Sequence, residues 1–166
     1  MKKLLTIALL LSIICTVALA ELDVKSMTDE QLMQTILDCS QEFRDRYLTD
    51  KGVLLYQDQN FSVYQTGDAY VDKNGRVKVP AAAYSQYDSV VTISPKNCTV
   101  NGFTVIGFGF NNIAQGAAMI GELDFASEKL NLTSIEQVLE ITLQWQAYFP
   151  DSKQVELIQD RYTYHF

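Results

Sequence analysis

Carboxylates are the only acid–base groups this chain holds in quantity: 20 Asp and Glu stand against a single histidine, His165, next to the C-terminus. A Ser-His-Asp or Cys-His nucleophilic site would have to rest on that terminal residue, which frays readily. Two carboxylates at the right separation are enough to hydrolyse a glycan. Glu122 and Asp124 are the least arbitrary pair, because residues two apart share one face of a strand and these two lie beside an apolar run. Metal chemistry has less to build on. One His and two Cys expected in a disulfide make no metal cluster, and the Asp68 to Gly75 segment lacks the ligand spacing and closing Glu of an EF-hand. Gly107 and Gly109 lack the third glycine and following helix that cradle a phosphate. No metal, no cofactor and no catalytic residue is therefore expected, and an enzyme is the minor reading.

Tyrosine is the more suggestive surplus, nine in all. Tyr56, Tyr64, Tyr70, Tyr84 and Tyr87 fall in expected hairpins and in an Ala-rich loop from Pro80 to Asp88. Tyrosines on exposed strands and loops suit interfaces, since each brings a large area at little rotamer cost and a polar tip that tolerates water. A second feature is the run Phe103 to Phe110, apolar on both strand faces and so expected at the centre of a sheet. Gly107 and Gly109 share one face of it, leaving a shallow groove for a packed helix or for a small apolar ligand or lipid.

Residues 1 to 20 read as a cleaved signal peptide: Lys2 and Lys3 lead an apolar run, and Ala18-Leu19-Ala20 offers small residues at a cleavage site. The apolar run is about 14 residues, short of the roughly 20 that span a bilayer. Ser12, Ile13 and Ile14 before Cys15 do not fit a lipoprotein signal. The expectation is an exported protein, periplasmic or extracellular, with one domain over residues 21 to 166. The chain carries 13 basic and 20 acidic residues. Loss of Lys2 and Lys3 leaves 11 basic residues, a net charge of about −9. Nucleic acid is thereby disfavoured as a partner and a basic protein favoured. After cleavage, Cys39 and Cys98 remain, and in an oxidising compartment the pair reads as one disulfide. A loop of about 60 residues closed this way contributes on the order of 4 kcal/mol. The sequons at Asn60, Asn97 and Asn131 read as chance beside a leader of bacterial type.

The elements that must position these residues begin with a helix from Thr28 to Leu48, opened by a Thr28/Gln31 capping box and striped by Leu32, Ile36, Cys39, Phe43 and Tyr47. After Gly52 the period switches to two. Strands are expected at Val53–Gln57, Phe61–Thr66, Ala69–Lys73, Arg76–Val79, Ser89–Ser94, Cys98–Val100 and Phe103–Phe110, with a further one between Ile113 and Phe125. Asn74-Gly75 and Asn101-Gly102 signal two-residue hairpins. A second capping box at Thr133/Glu136 and the spacing of Ile135, Val138, Leu139, Thr142, Trp145 and Phe149 predict a second amphipathic helix ending before Pro150. Tyr162, Tyr164 and Phe166 alternate at the end of the chain, which resembles the closing strand of bacterial outer-membrane β-barrels; that resemblance covers only these last residues.

These features predict one α+β domain, a mostly antiparallel sheet with two packed amphipathic helices. The leading functional expectation is a non-enzymatic protein-binding module, an inhibitor or immunity-type protein masking a basic partner. The alternatives are a small apolar ligand- or lipid-binding protein and a carboxylate-dependent glycan hydrolase.

Overall fold

The computed structural model describes residues 25–43, 45, 52–127 and 129–166. The leader expected over residues 1–20, Tyr47 of the expected helix stripe and Leu48 at the expected helix end lie outside them. Contacts divide the chain into two compact units, Met1–Ile36 and Leu37–Phe166; every strand belongs to the second.

Strand makes up 51% of the described residues and helix 14%, so the molecule is mostly antiparallel β rather than α+β. Among the described residues eleven strands form one curled sheet, a half-barrel: β1 (Val53–Gln57), β2 (Phe61–Gln65), β3 (Tyr70–Val71), β4 (Val77–Ser85), β5 (Val91–Val100), β6 (Phe103–Phe108), β7 (Phe110–Ile113), β8 (Ala118–Ala126), β9 (Glu140–Phe149), β10 (Gln154–Leu157) and β11 (Tyr162–His165). The order is β1-β2-β4-β8-β6-β5-β9-β10, with β3 on β4, β7 on β5 and β11 on β9.

The one α-helix among the described residues, α1, runs from Asp29 to Phe43. Its capping box forms as expected, with the Thr28 amide donating to Gln31 Oε1 at 3.0 Å and the Gln31 amide to Thr28 Oγ1 at 3.3 Å. Its apolar stripe does not enter the core: no residue of α1 is buried. The sheet instead packs against itself, and Phe43 covers Tyr64 and Ala82 on the outer side.

The expected second helix is strand β9, preceded by a 3-10 turn at Ile135–Gln137. Glu140 to Phe149 also alternates between polar and apolar residues: Ile141, Leu143, Trp145 and Ala147 are buried on one face, while on the other Thr142, Gln146 and Tyr148 are not and Gln144 is. Three strands settle the choice of period. β5 takes one edge of β9, and β10 and β11 share the other, separated by a bulge that the Ile158 amide and the Gln144 side chain hold against β9. Trp145 is fully buried, as expected of it, but from a strand.

The Ala-rich stretch is likewise no loop. Ala81, Ala82 and Ala83 lie at 0% exposure in β4, between β2 and β8. Asn101-Gly102 is the two-residue hairpin expected, with positive φ at both residues. At Asn74-Gly75 only Gly75 has positive φ, because Asp72 and Arg76 close a longer turn there.

Gly107 and Gly109 carry no groove. A Cβ on Gly107 would stand 2.7 Å from Cys98 Sγ and Pro95 Cγ, and one on Gly109 would collide with the Ile93 carbonyl oxygen and stand 2.9 Å from Ser94 Cα. β5 itself fills the space, and the missing side chains let β6 press onto it. Cys39 and Cys98 are not joined. Cys98 is turned into the core beneath β6, whereas Cys39 faces solvent on α1, so their sulfurs lie in different environments.

Where the curled sheet brings its edges together, side chains replace backbone pairing. Tyr164 Oη donates to the Leu55 carbonyl at 2.8 Å and accepts from Trp145 Nε1 at 3.3 Å, and Tyr56 meets Tyr162 edge to face at 5.3 Å. The closing aromatics Tyr162 and Tyr164 thus pack on the core.

Two outcomes follow. Gly109→Ala should lower unfolding stability by about 1–3 kcal/mol through overpacking, read from denaturant midpoints; an unchanged midpoint would refute the close approach. Burial pushes the Cys98 thiol up to about 12, so a thiol reagent at neutral pH should label Cys39 in the folded protein and Cys98 only after unfolding. Peptide mapping that finds the two linked would overturn the separation.

Candidate functional site

The sheet's outer face carries the group of side chains best suited to contact another molecule. Its positions follow from register. Phe108 on β6 stands opposite Asp124 on β8, Asp124 opposite Lys78 on β4, and Lys78 opposite Tyr70 on β3, so one row crosses four strands. Alternation puts Glu122 on the same face as Asp124 and Ile106 on the same face as Phe108.

The charged members hold one another. Arg76 pairs with Asp124 through two nitrogens, its Nε donating to Oδ1 at 3.0 Å, and its guanidinium carbon lies 5.6 Å over the centre of the Phe108 ring. Lys78 Nζ donates to Asp124 Oδ2 at 2.8 Å and lies 3.8 Å from Glu122 Oε2. Tyr70 donates its phenol to Glu122 Oε1 at 2.6 Å. That hydrogen bond is the main cause raising the Tyr70 pKa, with the charges of Glu122, Asp72 and Asp124 adding to it.

The turn before β4 aims Arg76. Asp72 Oδ1 accepts the amides of Asn74 at 2.8 Å and Arg76 at 3.0 Å, which fixes the entry into the strand. Beyond Arg76 an open concavity of about 370 Å³ is lined by Asn74, Arg76, Ile106, Phe108, Ala126 and Ser127. Half of that lining is apolar, and the Arg76–Phe108 pair is part of it.

Of the five tyrosines expected at an interface, Tyr70 alone is exposed, at 42%. Tyr56, Tyr64 and Tyr84 are buried and Tyr87 is half-buried. Tyr56 donates to Asp58 at 2.7 Å and Tyr87 to Glu156 at 2.9 Å while its ring stacks on Phe61 and meets Phe149 edge to face, so both serve packing. Tyr64 and Tyr84 line a second concavity of about 320 Å³ with Asp58 and Gln86. Both Asp58 oxygens already accept hydrogen bonds, from Tyr56 and from the Asn60 and Phe61 amides.

Glu122 and Asp124 do share a face, as their spacing predicts, and the structure sets them in an ion-pair ladder. Arg76, Lys78, Ile106 and Phe108 were not singled out in the sequence. The available signal was pattern: Arg76 and Lys78 alternate on one strand as Glu122 and Asp124 do on another, which suits cross-strand pairing. No group of three or more His, Cys, Asp or Glu able to hold a metal occurs among the described residues. Compared with models of known protein families, with curated proteins and with solved structures, the chain matches none.

Asp72 gives a pH test of the turn. The Arg76 amide, and after it the Asn74 amide, holds this carboxyl below the usual Asp range. A folded-state pKa below the unfolded one means that the bracing is complete above the unfolded value and is lost as pH falls through the folded value. Carboxyl ¹³C shifts should therefore give Asp72 a midpoint below that of an unstructured Asp, and an ordinary midpoint would exclude the bracing.

Proposed function

We propose that this chain is an exported, non-enzymatic protein-binding module that takes its partner on the outer face of β3, β4, β8 and β6. One observation carries the reading: Ile106 and Phe108 are 65% and 48% exposed on this face, and Ile120 further along β8 is 66% exposed. Exposed apolar side chains grouped beside ordered polar ones are what contact surfaces present. The ladder adds pre-organisation, since its charged side chains are held before a partner arrives and lose little freedom on contact.

The same ladder favours binding over hydrolysis. Glu122 and Asp124 accept from Tyr70, Lys78 and Arg76, an arrangement that positions side chains, and neither carboxylate lines the neighbouring concavity beyond Arg76. The small-ligand reading lacks its groove, because Pro95 and Cys98 occupy the space over the glycines. Export rests on the leader's composition, and the steering of a basic partner rests on the net charge of −7. The contact face itself offers both signs.

The test is capture by the tagged chain, expressed with its own leader, from its native envelope and medium. The wild type should retain one near-stoichiometric protein, whether a different chain or the untagged chain itself. Ile106→Glu should lose it with the unfolding midpoint unchanged. A bare wild-type bait, or capture indifferent to the substitution, would remove this reading.

A further inference from the structure

With a net charge of −7 over the chain, a second copy is repelled on average. The row across the outer face is different. It reads Phe108, Asp124, Lys78, Tyr70, which is aromatic, acid, base, aromatic. Reversed, it reads aromatic, base, acid, aromatic, so the reversed row is the chemical complement of the original. A two-fold axis lying in the plane of the face, parallel to the strands and between β8 and β4, performs that reversal. It sets Asp124 over the second copy's Lys78 and Phe108 over the second copy's Tyr70. Self-complementarity of this kind is what an isologous contact demands.

We infer that the outer face pairs two copies of this chain about that axis. The inference rests on the reading of this face as the protein-binding one, and it names the occupant. The pairing withdraws the exposed rings of Phe108 and Tyr70 from water, and Ile106 flanks the row along β6. It also answers the charge of the face: Lys78 would meet like charge in a strongly basic protein, whereas a second copy presents Asp124 to it.

Sedimentation equilibrium of the protein purified from expression of the full chain tests it. The wild type should show a monomer–dimer equilibrium with a dimer fraction that rises with concentration. Asp124→Lys turns the row into aromatic, base, base, aromatic, and Lys78→Asp into aromatic, acid, acid, aromatic. Each alone should weaken self-association about tenfold or more, because like charges then face each other across the axis. Mixed together the two variants should form a heterodimer, and the double swap should dimerise as the wild type does.

Because Asp124 also holds Arg76, unfolding midpoints accompany each variant, and Ile106→Glu, which lies off the ladder, should give a folded monomer. A wild type that stays monomeric at every concentration, or a dimer indifferent to both single swaps and to Ile106→Glu, overturns the inference. A monomeric wild type that still captures a different protein through Ile106 refutes the second copy and leaves the binding module standing. Failure of that capture as well removes both.

Discussion

The close approach of β6 to β5 at Gly107 and Gly109 is the constraint on which the rest of the molecule depends. Side chains at these positions would occupy the space of Pro95, Cys98 and the Ile93 carbonyl. Without them β6 can pair with β5 on one edge through Val105 and with β8 on the other through Ile106 and Phe108. That double pairing joins the two halves of the sheet into one curled layer. It also places Phe108, the residue between the glycines, opposite Asp124, so the contact that closes the fold sets one end of the outer row.

Curling brings two sheet edges together that have no backbone partners for each other, and the aromatic residues manage this meeting. Tyr164 reaches the Leu55 carbonyl, and burial pushes its phenol up to about 12, which keeps it a donor throughout the physiological range. Trp145 donates to the Tyr164 hydroxyl. Tyrosine suits this place because the ring fills the apolar interior while the hydroxyl satisfies a backbone group that would otherwise be left unpaired. The tyrosine surplus is therefore mostly architecture. Tyr56, Tyr87, Tyr162 and Tyr164 build the seam and its surroundings, and Tyr70, on a two-residue strand at the margin, is left for solvent.

The outer face inherits its order from the same sheet. Strand register alone brings Arg76, Lys78, Glu122 and Asp124 within hydrogen-bonding reach, and the Asp72 turn sets the angle at which Arg76 covers Phe108. Each ion pair of this partly exposed kind contributes about 1 kcal/mol or less to stability. The ladder's weight lies in position, since it fixes alternating charge between two exposed rings and gives the face a definite pattern for another surface to match.

Local chemistry was legible wherever one residue's own preference decides. The Thr28 capping box, strand β1, most of β2 and the Asn101-Gly102 hairpin stand where the sequence puts them, because caps and tight turns depend on neighbours in the chain. Glu122 and Asp124 were legible as a pair for the same reason. Tertiary structure decided everything that required a partner distant in sequence. The segment around Trp145 fits a helical and a strand period equally, and the open edges of β5, β10 and β11 selected the strand. Ala81 to Ala83 have little preference for strand, yet small side chains are what a strand packed on both faces admits. Two cysteines alone say nothing of which way their sulfurs point, and here one faces the core and the other solvent. The ladder belongs to this second class: its four charges are written in the sequence, but only antiparallel pairing, which sums distant positions to a common row, could say that they meet.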